Sequence, residues 1–359
     1  MLSKSMKIAA ALSYINTILT IVVAIVITPL LIKSLGVHEY GLYSLIGGVL
    51  ILVSAFDFGL SGSLTRFVVK YRTEENTEKM YQTINTVQSI FFVIYIFIFI
   101  FGCAFVLLNK NSQIFSLSLI DSEKALILIA ILVPTIPVIM QTALYTAICN
   151  GCEHFIFSRS AQLVKYVFRT IIILWIISLH CDSVALVAVD MLVSCLVLFS
   201  SSYYVKKCLK ITTHLISPQK NILLDLVKYS FWMFIYALSL QFFWLLGQFA
   251  VAKRMSLTDV SMYSICVMLG TYYSVLVTAY SSMFMSKAML YTVKDVSSEE
   301  LCNACINFSA MNTKILLFVL GGFVVVGKIF LFLWLGNSFN YAQIDVIWLG
   351  TLLIMLGYL

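Results

Sequence analysis

The chain has 359 residues, of which 61% are hydrophobic and only 11% charged, with a formal net charge of +7 and a mean hydropathy of +1.01. Such a composition excludes a water-soluble globular or disordered fold. Nor does the positive balance imply a nucleic-acid partner, because most Lys and Arg residues lie in short loops between long apolar runs, where they report orientation in a membrane.

In chain order, the apolar runs predict helices at roughly 8–32, 41–68, 84–108, 125–148, 161–179, 184–205, 228–251, 260–285, 308–335 and 342–359. Each run is long enough to cross the roughly 30 Å of bilayer hydrocarbon as a helix. A helix also satisfies its own backbone hydrogen bonds where lipid offers none. The expected class is therefore an all-α, polytopic integral membrane protein of about ten helices. Lys4 and Lys7 precede the first run as they would in a signal peptide, but the run is too long for a signal core and lacks an A-x-A cleavage site. It is read as a retained helix. The nine cysteines are odd in number and lie mostly inside the runs, so they are read as small apolar residues without a disulfide framework.

With the N-terminus in the cytoplasm, fifteen Lys and Arg residues fall on inner flanks and five, Lys33, Lys110, Lys124, Lys253 and Arg254, on outer ones. The positive-inside rule selects that orientation. The longest inner connection, Lys206 to Asn221, divides the chain into an N-terminal six-helix lobe over 1–210, an inter-lobe linker over 211–227 and a C-terminal lobe over 228–359. An internal repeat supports the division, since a shift of 220 residues places Lys33, Glu39, Tyr43 and Ser44 on Lys253, Asp259, Tyr263 and Ser264 without a gap. Six helices separate the copies, so the repeats run parallel about an axis along the membrane normal. Two complete repeats need roughly 440 residues, which predicts a chain lacking about its last two helices.

Several short stretches then carry a resemblance. Thr28-Pro29-Leu30-Leu31-Ile32-Lys33-Ser34-Leu35-Gly36, followed by Glu39-Tyr40-Gly41-Leu42-Tyr43, Phe58-Gly59-Leu60 and Thr65-Arg66-Phe67, resembles the N-terminal pattern of bacterial polysaccharide flippases. Ile148-Cys149-Asn150-Gly151-Cys152-Glu153-His154-Phe155 is similar to that family's loop after the fourth helix. The family lies in the multidrug/oligosaccharidyl-lipid/polysaccharide exporter superfamily, beside the MATE drug antiporters. The resemblance implies twelve helices in two pseudo-symmetric MATE-like bundles. It also implies a central cavity that passes undecaprenyl-pyrophosphate-linked oligosaccharide across the bacterial cytoplasmic membrane for O-antigen, capsule or a related surface polysaccharide. Membrane lipid and other membrane proteins of polysaccharide assembly are the further partners it implies, and no covalent chemistry is expected.

Such a substrate calls for cations at membrane depth, where they are costly and default to functional hypotheses. Helix five of the sequence reading carries Lys165 and Arg169 at i, i+4, mutually repulsive unless an anion lies between them. Helix nine carries Lys314 and Lys328, fourteen residues apart and within about 40° of each other around the axis, with Gly321 midway. The plainer reading of that pair is snorkelling to opposite interfaces. Arg66 ends a small-residue ridge at the inner mouth of helix two, and a guanidinium suits bidentate phosphate contact. Asp57 and Asp190, the acids within spans, are candidates for an H⁺ or Na⁺ coupling site or for partners of a buried cation, with direct pairing of Asp190 and Arg169 not assumed. Pro29 in the first helix and Pro134 with Pro137 in the fourth remove backbone hydrogen bonds and favour kinks that could gate a cavity.

Two C-x-x-C pairs, Cys149 with Cys152 and Cys302 with Cys305, together make a zinc ligand set with His154 in reserve. They fall in different lobes, so no metal is assigned, and no cofactor is expected beyond a coupling ion. Two rivals remain open: a cation-coupled drug antiporter, marked by a cavity rich in acids and aromatics, and a membrane-embedded glycan polymerase or transferase.

Overall fold

The computed structural model describes residues 4–54, 57, 59–110, 118–179, 182–216, 220–293 and 298–358. Among them every element is a helix: α1 (Lys4–Leu35), α2 (Val37–Ser54), α3 (Leu60–Thr73), α4 (Thr77–Leu108), α5 (Leu119–Gly151), α6 (Phe155–Ile177), α7 (Ser183–Lys207), α8 (Lys220–Arg254), α9 (Leu257–Val293), α10 (Ser298–Leu335) and α11 (Tyr341–Leu356), with a 3₁₀ turn at Gly336–Ser338. Seven of these, α1, α4 to α8 and α10, contain stretches long and apolar enough to cross a bilayer, and α11 is a shorter apolar helix. The protein is a multi-pass, all-α membrane protein.

The main departure from the sequence reading lies in the second expected span, 41–68, which is two helices rather than one. Gly59 has φ +68° and caps α3 from the left-handed region, a conformation that side chains make costly. The carboxylate of Asp57 accepts the Gly59 N–H at 2.7 Å, closing a local turn that competes with continued helix. Pro29, Pro134 and Pro137 lie within continuous helical segments of α1 and α5. The chain reverses cheaply elsewhere through side-chain caps, Asn76 accepting from Lys79 N at 3.0 Å and Asn340 forming a capping box with Gln343.

The chain forms two compact units, Met1–Leu35 with Leu42–Met255, and Gly36–Gly41 with Ser256–Leu359. In the first, α5 packs chiefly on α7, α3 and α4, while α1 packs on α6. Its core runs through Leu64, Val68, Ile84, Phe91, Met140, Leu144 and Ile148. Lipid tails are as apolar as these side chains, so close approach rather than water exclusion drives the packing. Gly151 shows this, since a Cβ there would meet Val68 Cγ1 at 2.6 Å.

Helix α8 also belongs to this unit, although the sequence reading starts a new lobe at residue 228. Ser63 and Ser230 share a 2.6 Å hydrogen bond, and Leu226 is buried in the same core. The described part of the linker is fastened as well: Asn85 Oδ1 accepts the His214 N–H at 2.8 Å, and Ser89 Oγ accepts that of Ile216 at 3.0 Å. Residues 217–219 of the linker lie outside the described residues. In the second unit, α9, α10 and α11 pack around Tyr273, Leu316, Leu320 and Met355. There the two copies of the sequence repeat meet: the Ser261 hydroxyl donates to Val37 O, and Gly41 lies against Leu257 O.

Candidate functional site

The first unit holds an open chamber of about 390 Å³ among α3, α5, α6 and α7, where polar side chains stand among small and apolar ones. Helix α3 contributes Ser61, Gly62 and Thr65, α5 contributes Thr142, Thr146 and Asn150, and α7 contributes Ser201. From α6 come Ser158, Ala161, Gln162 and Lys165. Those four positions follow the i, i+3, i+4, i+7 rule for one face of a helix, so the chamber is bordered by a single stripe of α6. Among the described lining residues Lys165 is the sole charged side chain, and no carboxylate is present.

The Thr65 hydroxyl is spent on Ser61 O and Ala147 O, but other polar groups of this chamber are not. Ser158 is 4% exposed, yet its hydroxyl has no hydrogen-bond partner among the described residues, and the same holds for Asn150 Oδ1. Lys165 makes no hydrogen bond or ion pair with another described residue. Buried polar atoms without partners are costly, and they are satisfied when water or a polar ligand fills the space they face. At the edge of the chamber Phe157 stacks on Tyr204 with centroids 3.7 Å apart, and Tyr204 is in turn bonded to His154 Nδ1 at 2.8 Å. That pair fixes the start of α6.

Lys165 is the expected site residue that borders the chamber. One turn along α6, Arg169 is engaged by Asp190 of α7: its Nε donates to Oδ1, its Nη2 donates to Oδ2 at 3.0 Å, and Nη2 also donates to the Tyr43 hydroxyl at 3.1 Å. Their side chains are 29% and 23% exposed, a bidentate pair that is largely sheltered. Arg66 is exposed on α3, its guanidinium stacked 4.4 Å from the centre of the Tyr229 ring. Asp57 sits at the α2–α3 break, bonded to Gly59 N–H and facing Ser61.

The basic residues of α10 are arranged differently. Lys328 is ion-paired with Asp345 of α11 at 2.6 Å, both half exposed, and Lys314 lies on an exposed face. Around Gly321 there is open space rather than a packed neighbour. Of the cysteine pairs, Cys149 is buried and Cys152 half-buried at the end of α5, while Cys302 and Cys305 are exposed on α10. Among the described residues no three His, Cys, Asp or Glu side chains converge as a metal site would require. Ser158 and Gln162 do not figure in the sequence reading, and Asn150 and Tyr43 appear there in motifs and not as site residues. The signal for the α6 members was present in the spacing of Ser158, Gln162 and Lys165 along one face.

Comparison with known proteins gives two results. A family model described as polysaccharide biosynthesis protein matches residues 9–285. Among solved structures, the chain is similar to an inward-facing multidrug resistance MATE family transporter of the MOP superfamily (TM-score 0.77, 13% identity, covering 97% of this chain and 80% of that one). It is also similar to a MATE protein in its straight conformation (0.67, 14%, 99% and 80%) and to a MOP superfamily transporter from Pyrococcus furiosus (0.55, 12%, 99% and 92%). At these identities the likeness is one of fold. No curated protein matches the chain.

Proposed function

We propose, on the premise that this chain belongs to the polysaccharide biosynthesis protein family, that it is a flippase carrying lipid-linked oligosaccharide across the bacterial cytoplasmic membrane. In this reading the N-terminus is cytoplasmic, the substrate is an undecaprenyl-pyrophosphate-linked repeat unit of O-antigen, capsule or a related surface polysaccharide, and no covalent bond is made or broken. Neighbouring membrane proteins of polysaccharide assembly would supply and consume that unit.

The observation that carries the reading is the character of the chamber. Among small and apolar side chains, its described lining presents hydroxyls, two carboxamides and one ammonium group, with no carboxylate. Hydroxyls and amides suit a glycan, which presents donors and acceptors on every face, and a cation suits pyrophosphate. A cation-coupled drug antiporter would want the opposite sign there. Asp190 is already neutralised by Arg169, so Asp57 is the acid left for H⁺ or Na⁺ coupling in this scheme.

The test is a deletion strain assayed for surface polysaccharide and for lipid-linked repeat units held on the inner leaflet. The expected result is loss of the first and accumulation of the second, both reversed by the wild-type gene. Normal surface polysaccharide together with increased sensitivity to cationic drugs would overturn the reading in favour of the antiporter.

A further inference from the structure

A second hollow, of about 370 Å³, adjoins the chamber between α6 and α7. It is more apolar than the chamber, walled chiefly by Val164, Phe168, Val193 and Leu196 with Ser160 and Ser200 at its border. Phe157, Ala161, Lys165 and Val197 line both hollows, so Lys165 stands where the polar space meets the apolar one. Val164, Phe168 and Leu196 are 62%, 46% and 49% exposed on the outside of the helix pair, which opens the slot toward the surrounding lipid.

We propose that chamber and slot form one amphiphile site, in which Lys165 holds a lipid phosphate and a single hydrocarbon chain leaves the first unit between α6 and α7. The inference rests on the flippase reading above and adds to it a seat for the phosphate and a path for the tail. Two observations converge on an anionic head: an ammonium group without an ion-pair partner among the described residues, and the buried Ser158 hydroxyl, a donor left without a hydrogen bond. An ammonium is a point charge that snorkels toward an anion along its own apolar stem, so it can serve a phosphate at the boundary of the two hollows. One slot between one pair of helices takes one chain, which favours a polyprenyl phosphate over a two-chain phospholipid.

The experiment uses the full chain in lipid nanodiscs, with retained lipid read by native mass spectrometry. Undecaprenyl phosphate is titrated against wild type, Lys165→Met, Lys165→Arg and Leu196→Trp, with dioleoyl phosphatidylglycerol and inorganic phosphate as competitors and thermal melting as the control for folding. The expected result is about tenfold weaker retention for Lys165→Met and for Leu196→Trp, and a change within about threefold for Lys165→Arg. Neither competitor should displace the polyprenyl lipid at equal concentration. Unchanged retention in Lys165→Met, or in a folded Leu196→Trp, overturns the proposal. Equal competition by phosphatidylglycerol assigns the slot to a bilayer phospholipid, and equal competition by inorganic phosphate removes the role of the chain; either result also overturns it. Polysaccharide export by the wild-type gene in the deletion strain, scored alongside, tests the flippase reading by itself. Normal export with unchanged retention in the variants rejects only the seat and tail path.

Discussion

Lys165 and Arg169 of α6 and Lys314 and Lys328 of α10 all lie in apolar spans, yet their surroundings differ completely. On α6, Arg169 is locked to Asp190 and Tyr43 while Lys165 borders the chamber with no hydrogen bond or close ion pair among the described residues. On α10, Lys328 is matched by Asp345 on a half-exposed surface and Lys314 projects from an exposed face. The pairs differ in spacing, four residues against fourteen, but their roles are decided by what stands opposite. A cation within a span becomes a candidate ligand group only when hydroxyls, amides and empty volume accompany it.

The largest effect is expected at Arg169. Arg169→Ala leaves the Asp190 carboxylate sheltered and uncompensated, at a cost of about 3 kcal/mol. Folded protein in membranes and the melting temperature in detergent should both fall, and Arg169→Ala with Asp190→Ala should recover much of the loss. Equal instability of single and double variants would show that the pair does not act as a unit.

Lys165→Gln should act on transport instead, lowering polysaccharide export by about tenfold or more at unchanged protein level, with Lys165→Arg near wild type. Gly59→Ala probes the helix break and places a Cβ at φ +68°, which should cost about 1–2 kcal/mol as a lowered melting temperature. The smallest effect belongs to Lys328→Ala. Its ion pair is half exposed, so the change should be under about 1 kcal/mol in thermal stability.

How much of this was legible depends on distance along the chain. Apolar runs declared the helices because a bilayer demands long uninterrupted stretches, and the α6 stripe of Ser158, Gln162 and Lys165 is written in a period of 3.6. The break between α2 and α3 was hidden by continuous hydrophobicity, although Asp57 followed by Gly59 is a turn pairing that could have exposed it. The Arg169–Asp190 pair was not legible, because nothing local records the rotation of α6 against α7. The same holds for Ser63 with Ser230, which fastens α8 to the first unit across 167 residues. The meeting of Val37 with Ser261, by contrast, was foreshadowed by the 220-residue repeat that pairs their neighbourhoods.

The most direct test of the account compares Lys165→Gln with Lys314→Gln in the deletion strain at matched membrane levels, scoring repeat units that reach the outer leaflet. The account predicts about a tenfold loss for Lys165→Gln and near-normal transfer for Lys314→Gln. Equal losses, or a larger loss from Lys314→Gln, would contradict the assignment of the substrate's charge to the α6 chamber.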